Sequence, residues 1–200
     1  EDSFGVGVGN PELSFLSVTP RDTLFVSGDS ERSLPRIIIK ESDSAAVTNV
    51  WDDIFLILPG HFDGTWKQDV NIAFDGSARD KVRAVTTANY LGSDSLRIDV
   101  VRNFQPGDEL HIIGLAVDSL EVSPRDSLKA GLLGTSRLLE NVLPMAVGRP
   151  ELESVVDQSF IVLEDGQGDE IAEVGPLTIR ESLFAPSILA EDGIRIVIPS

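Results

Sequence analysis

Apolar residues along this chain recur mostly at every second position, the period of a half-buried β-strand. Val70, Ile72 and Phe74 alternate with Asp69, Asn71 and Ala73; Leu96, Ile98 and Val100 alternate with Arg97 and Asp99; Leu110 and Ile112 alternate with Glu109 and His111. Each run is short and bounded by turn chemistry, at Asp63-Gly64, Asp75-Gly76, Gly92-Ser93-Asp94 and Pro106-Gly107-Asp108. Short alternating runs at close, regular spacing predict an antiparallel β-sandwich. In residues 126–143 the leucines could also mark a helix, but Gly131 and Gly134 would each cost about 1 kcal/mol there. The pattern predicts two strands around a Gly-Thr-Ser turn, with a short helix as the lesser alternative.

The chain also repeats itself. Val8-Gly9-Asn10-Pro11-Glu12-Leu13 returns as Val147-Gly148-Arg149-Pro150-Glu151-Leu152, at an offset of 139. Ile39-Lys40-Glu41-Ser42 returns as Ile179-Arg180-Glu181-Ser182, and Asp52 to Pro59 as Asp192 to Pro199, both at an offset of 140. A period of that length is too long for a solenoid turn and suits a whole domain. Residues 1–10 then read as an N-terminal strand or tail, 11–147 as a first sandwich repeat and 148–200 as a partial second one, with Pro144 and Pro150 bracketing the junction. Comparing the copies places side chains. Phe55 corresponds to Arg195, so position 55 is expected to face solvent or a sheet edge, while Ile54, Leu56 and Leu58 face the core. Trp51 corresponds to Glu191, so the fold does not require the indole, which is expected to be exposed.

Sixteen basic against thirty-three acidic residues leave a net charge of −17. Such a chain cannot neutralise phosphates in bulk, which argues against a nucleic-acid partner. A hydrophobic share of 42% suits a packed core rather than disorder. There is no cysteine, hence no disulfide, thiolate metal site or cysteine nucleophile. No initiator Met, signal-type segment or apolar run near the length of a membrane span is present, so the chain reads as a mature or excised soluble piece without membrane insertion.

Several strings together resemble the tandem immunoglobulin-like repeats of very large bacterial surface and secreted proteins. They are Pro11-Glu12-Leu13, Leu24-Phe25-Val26, the Ile37–Ser42 strand, D-I-F-L-I-L-P over Asp53–Pro59, Gly64-Thr65-Trp66, Phe74-Asp75-Gly76-Ser77-Ala78, Ser95–Val101, and F-Q-P-G-D-E-L-H-I-I-G-L from Phe104 to Leu115. The likeness covers roughly 11–120 and again 150–200; the 121–146 stretch does not match well. It implies a β-sandwich, export, a structural or adhesive role, and no active site or cofactor.

Candidate chemistry is sparse. Carboxylate pairs such as Asp52/Asp53 and Asp169/Glu170 could serve glycosidic acid–base work only if held across a cleft. Gly28-Asp29-Ser30 and Gly92-Ser93-Asp94-Ser95 superficially resemble serine-nucleophile motifs, but both lie between strands where these residues form turns, and no G-x-S-x-G elbow occurs. His61 and His111 are the only histidines, and His111 sits within a strand pattern as a surface or sheet-face residue. Glu164-Asp165-Gly166-Gln167-Gly168-Asp169-Glu170 gathers hard oxygen ligands as a calcium loop might, without EF-hand spacing; the matching place in the first copy, Ser27–Arg32, is less acidic. No catalytic, cofactor-binding or metal residue is therefore assigned. Trp66 is expected to plug one end of the sandwich.

The expectation is an all-β, immunoglobulin-like sandwich repeat serving as a structural or adhesive element at a bacterial cell surface. Its partners are expected to be neighbouring repeats or other copies joined head to tail, either by stacking or by the Phe4–Val8 strand standing in for the matching Leu143–Val147. The alternative is a carbohydrate- or calcium-binding module, favoured if loops bearing Trp66, His61 and Asp63 meet at a shallow groove that could take a surface glycan. An enzyme comes third.

Overall fold

The computed structural model describes residues 11–16, 24–28, 30–132, 138–139, 143–149, 151–154, 177–181, 188 and 193–195. In chain order the strands open with β1 (Glu12–Leu16), β2 (Leu24–Val26), β3 (Arg32–Ser33), β4 (Arg36–Lys40), β5 (Ile54–Ile57) and β6 (Thr65–Trp66). Then come β7 (Ala73–Asp75), β8 (Tyr90–Leu91), β9 (Ser95–Ile98), β10 (Glu109–Ile113), β11 (Ala116–Asp118) and β12 (Ser123–Ser127). The series closes with β13 (Lys129–Leu132), β14 (Leu138–Leu139), β15 (Pro144–Gly148), β16 (Glu151–Ser154) and β17 (Leu177–Arg180). Arg79–Lys81 and Thr87–Asn89 form 3-10 turns, and no α-helix occurs among the described residues. None of the described helices is long and apolar enough to cross a membrane.

The fold is an all-β sandwich. One layer has the order β1-β4-β10-β7 and continues at one end as β3-β11-β6. The break falls where β10 runs through Gly114 into β11, and the bond from the Leu34 N–H to the Leu115 carbonyl (2.8 Å) carries the ladder across it. Gly114 has φ +86, and a Cβ there would lie 2.4 Å from the Asn71 carbonyl oxygen, so only glycine fits. The second layer, β14-β13-β5-β9-β8, is prolonged by β12-β15-β2, because Leu128 links β12 directly to β13. Among the described residues every strand pairing is antiparallel except that of β15 with β2, which is parallel.

The period of two explains the core. Ile37, Ile39, Leu110 and Ile112 of the first layer and Ile54, Leu56, Leu96 and Ile98 of the second are wholly buried in one hydrophobic cluster. Burying each such side chain contributes about 1.5–3 kcal/mol. At one end Phe25 meets Phe62 edge to face, centroids 5.9 Å apart, beneath buried Met145 and Val147.

The predicted core face Ile54, Leu56 and Leu58 is buried, and β13 and β14 pair as two antiparallel strands. Some details differ. Phe55 is half-buried on the outer face, but β5 is flanked by β13 and β9, so it is no edge strand. The run expected from Val70 becomes ladder only at Ala73, after a bend at 68–70. Pro144 opens β15; the first residue of a strand tolerates proline because its missing N–H need not be lost from the ladder. The connection from β15 to β16 is only Arg149-Pro150.

Strand direction fixes two ends. Glu12 of β1 and Glu109 of β10 both pair with Lys40, and Ile98 of β9 pairs with Ile54. Pro11 and the loops 41–53 and 99–108 therefore share one end, called proximal. The loops 58–64, 92–94 and 119–122 share the other, distal end. Gly148 leaves β15 at that distal end: Val147 pairs with Ser123, and the Ser27 N–H donates to the Gly148 carbonyl at 2.9 Å. The chain thus enters the sandwich at one end and leaves at the other.

The described part of 148–200 echoes the start. β1 pairs with β4 as Glu12↔Lys40, Leu13↔Ile39 and Ser14↔Ile38; β16 pairs with β17 as Glu151↔Arg180, Leu152↔Ile179 and Glu153↔Thr178. Glu41 Oε1 accepts the Thr48 N–H at 2.8 Å, and Glu181 Oε1 accepts the Ile188 N–H at 2.8 Å. The strand expected at 194–198 is described only at its start. Gly193–Arg195 carry no strand, and Ile194 is 61% exposed. Its counterpart β5 is held by β9 and β13, whose equivalents at the 140-residue offset fall past Ser200.

Candidate functional site

The proximal end is a set of loops locked by buried carboxylates. Glu41, 1% exposed, accepts the Val47 N–H (3.1 Å) and the Thr48 N–H (2.8 Å), which pins 42–48. Its own N–H donates to the Asp108 carbonyl (2.8 Å), tying the loop to 104–108. Burial opposes ionisation of Asp108, but hydrogen bonds from the Lys81 ammonium, the Gln105 N–H (2.6 Å) and the Ser77 hydroxyl outweigh it and hold the carboxyl below its ordinary range. The same ammonium stands 6.0 Å from the Phe104 ring centroid, a cation–π distance.

On this frame Asn49 organises the next turn. Its Oδ1 accepts the Trp51 N–H (3.0 Å), while its amide donates to the Val47 carbonyl (3.2 Å) and to Asp52. The Val50 N–H donates to Asn103 Oδ1 (3.1 Å), which lays 48–51 beside 101–104. The result presents an apolar patch: Trp51 is 84% exposed, Val50 38% and Val101 40%. Arg102, next along, is exposed and forms no ion pair with a described residue.

The distal end holds a shallow open groove of about 440 Å³. Pro59 and Phe62 give it an apolar base, and Asp63, Asp94 and Glu121 line its walls. Trp66, 3% exposed, backs one wall: its N–H donates to the Ser93 carbonyl (2.9 Å) and its Nε1–H to the Asp94 carbonyl (2.8 Å). The Glu121 N–H donates to the Asp63 carbonyl (2.7 Å), closing the opposite side. Ser119, on the rim, holds a left-handed backbone at φ 54, uncommon for a residue other than glycine. Neighbouring Asp118 is already committed, to the Thr65 hydroxyl (2.6 Å) and the Lys67 ammonium (3.8 Å). The carboxylates of Asp63, Asp94 and Glu121 have no cationic partner among the described residues, so the groove offers acceptors to hydroxyls or to a cationic group. No group of three His, Cys, Asp or Glu that could hold a metal ion occurs among the described residues.

The residues weighed for chemistry fall into separate structural tasks. Asp52 is buried on Asn49, whereas Asp53 accepts the Val100 N–H (3.3 Å) and lies 3.8 Å from Arg97. Gly28 and Gly92 have φ +90 and +82, as turn glycines do, and the Ser95 hydroxyl donates to Asp94 (3.0 Å). His111 lies on the sheet face, its Nε2 3.2 Å from Glu109; that hydrogen bond, with Lys40 nearby, keeps the Glu109 carboxyl below its usual range. His61 is exposed and outside the groove lining. Of the three residues expected to converge, only Asp63 lines the groove; Trp66 lies behind it. Asp29, Phe4–Val8, the 164–170 loop and the Asp169/Glu170 pair lie outside the described residues. Glu121 and Ser119 were not foreseen, because nothing in their local sequence differs from an ordinary turn. No protein-family model matches the chain, and no curated protein matches it in sequence.

Proposed function

We propose that this chain is a non-enzymatic structural repeat of an exported bacterial cell-surface protein, its immunoglobulin-like units (11–147, then from 148) stacked end to end in a fibre, filament or adhesin stalk. The observation that carries the reading is the opposite placement of Pro11 and Gly148. A unit entered at one end and left at the other extends a chain of like units, and a connection as short as Arg149-Pro150 leaves little slack between them. The recurring register of β1–β4 in β16–β17, with the Glu41 bond recurring at Glu181, supports the equivalence of the two stretches. The extracellular bacterial setting rests on the sequence resemblance and agrees with the absence of cysteine.

The terminal strands also suit a tensile role. Pulled along the chain, β1 is drawn along its own axis against β4, and β15 along its own axis against β12 and β2. In the antiparallel β1–β4 and β12–β15 ladders the inter-strand hydrogen bonds lie perpendicular to the strands, so such a pull loads each of them all at once. Single-molecule force spectroscopy tests this. With no native cysteine, handles can be placed uniquely. Handles at Glu12→Cys and Gly148→Cys are expected to require clearly higher unfolding force than handles at Gly60→Cys and Ser93→Cys, which peel β5 from β9 one bond at a time. Equal or lower force along the chain axis would count against a load-bearing role.

The second reading, a glycan- or calcium-binding module, is favoured by the unpaired carboxylates of the distal groove. Calorimetric titration with calcium and a panel of surface glycans separates it from the first. Saturable binding that is lost in Asp63→Asn and Glu121→Gln would move the assignment to a ligand-binding module.

A further inference from the structure

We propose that Phe4–Val8 is a closing strand of the same kind as β15, made for the slot between the β12 and β2 strands of a like sandwich that lies ahead of Pro11. This assignment rests on the reading of the chain as successive like units and gives residues 4–8 their partner.

The fit can be followed position by position. β15 has a ladder on each side, antiparallel to β12 and parallel to β2. Leu143, Met145 and Val147 are buried in the core cluster that includes Phe25, and Ala146 between the last two is buried as well. A strand for this slot must therefore be apolar at three alternating positions and small at the fourth, with N–H groups to give on both edges. At the offset of 139, Phe4, Val6 and Val8 correspond to Leu143, Met145 and Val147, Gly7 to Ala146 and Gly9 to Gly148. No residue from Phe4 to Gly9 is polar or proline, so every N–H can enter a ladder. A slip of one residue would turn the glycines to the core and set a valine in the place of Ala146. Three glycines also make the segment a poor strand by itself, so it depends on ladders supplied from elsewhere.

Strand direction decides which sandwich supplies them. The slot of the first unit is filled by β15, which ends at the distal end with the Ser27 N–H on the Gly148 carbonyl. A strand lying as β15 does would bring Gly9 to that end, whereas Pro11 stands at the proximal end, before β1. From Gly9 to Pro11 the chain reaches about 7 Å, while the five residues of β1 alone span about 17 Å. Phe4–Val8 therefore cannot close the sandwich they precede. The second stretch offers no complete slot, since the counterpart of β12 falls past Ser200. In another copy of the chain the slot is held by a β15 covalently joined to it. A sandwich ahead of Pro11 meets every condition, and the existing junction shows how. There β15 runs through Arg149-Pro150 into β16, and in the same order Phe4–Gly9 run through Asn10-Pro11 into β1. One continuous stretch then closes one unit and opens the next, and a pull passes from ladder to ladder without a slack linker.

Two measurements test this. In the 200-residue chain, Leu143→Phe, Pro144→Gly, Met145→Val and Ala146→Gly together give β15 the sequence of Phe4–Gly9. This variant is expected to keep its circular dichroism and a single urea transition at a lowered midpoint. The slipped control Met145→Gly, Ala146→Val and Val147→Gly is expected to lose the transition or to lower the midpoint at least twice as far. Equal damage from both overturns the proposal. The second measurement uses an extended chain in which residues 11–142 are placed directly ahead of Phe4, so that the leading unit has no β15 of its own. Ser123→Cys in that unit is combined with Val8→Cys, in a protein without other cysteines. Ser123 lies opposite Val147, and its buried hydroxyl has no hydrogen-bond partner among the described residues, so the exchange strands nothing. Oxidation is expected to link the two cysteines within one molecule, read as a mass lower by two hydrogens and a faster-migrating monomer. Gly7→Cys, on the opposite face of the strand, is expected to stay unlinked to Ser123→Cys. No link at Val8→Cys, an equal link at Gly7→Cys, or links only between molecules would each overturn the proposal. None of these outcomes touches the load-bearing reading of the first unit, which the pulling measurement decides.

Discussion

At the scale of single residues, the frame depends on a few groups whose neighbours leave no substitute. Glu41 is one. Replacing it with Ala strands the buried Thr48 donor, an unsatisfied group costing about 1–3 kcal/mol, and frees the half-buried Val47 donor. Urea unfolding of Glu41→Ala should show a loss of that order or more, and Glu41→Gln, which keeps an acceptor oxygen, a smaller one. Gly114 is another: a Cβ would strike the Asn71 carbonyl, and φ +86 disfavours any side chain. Gly114→Ala should lower stability by more than about 1 kcal/mol, measured by the same unfolding curves. Asp108 supplies a pH dependence. Its folded carboxyl titrates below the ordinary value of about 3.9, so its contribution is fully present above about pH 5 and is lost as pH falls through that value towards the folded one. Asp108→Asn should therefore be less stable than wild type at pH 7, with the gap narrowing at pH 3. A gap that did not narrow would remove the ion pair from the account.

At the scale of elements, alternation decides what a strand tolerates. Leu56 is wholly buried between the layers, and Leu56→Ala should cost about 2–5 kcal/mol through lost burial and the cavity left behind. Its neighbour Phe55 points to the outer face, where the second copy carries Arg195. Phe55→Arg should cost clearly less than Leu56→Ala, mostly through proximity to Arg97 across the β5–β9 pair, a like-charge penalty of about 0.2–1 kcal/mol. Equilibrium denaturation of the two variants side by side checks the ordering, and a reversal would mean that the outer face of β5 is packed by something beyond the described residues. The same alternation made β9 and β10 legible from sequence, and comparison of the two copies did so for the buried face of β5; β4, a run of three isoleucines, was legible through its return at Ile179 and not through alternation. β2, β12 and β15 were less legible. At Phe25, Met145, Ala146 and Val147 burial runs through successive residues of β15 and across its parallel partner, which removes the period of two as a guide.

At the scale of the whole molecule, the direction of the strands matters more than any single contact. Because β1 starts at the proximal end and β15 finishes at the distal end, the unit has polarity, with exposed Trp51, Val50 and Val101 at one end and an acidic groove at the other. Such polarity would let like units follow one another in a single sense, and a pull between the two ends would load the terminal ladders in shear. It also predicts a solution property: if the second stretch continues the axis of the first, small-angle X-ray scattering at low concentration should give an elongated particle. A compact particle with the dimensions of a sphere of this mass would contradict end-to-end stacking.

The residue pattern alone determined that this chain is a β-sandwich and which faces of the best-patterned strands are buried, because those are consequences of a two-residue period and of turn formers at its ends. It also revealed the offset of 139 to 140 residues, a property of order along the chain. Only the tertiary structure decided that Asp63, Asp94 and Glu121 line one groove while His61 does not, that Trp66 backs one of its walls, and that the chain leaves the unit opposite to where it came in. Those facts depend on which distant segments are brought side by side. Turns read alike in sequence whether they end in solvent or close over a neighbour, so pairing partners far along the chain, not local composition, determine what each one becomes.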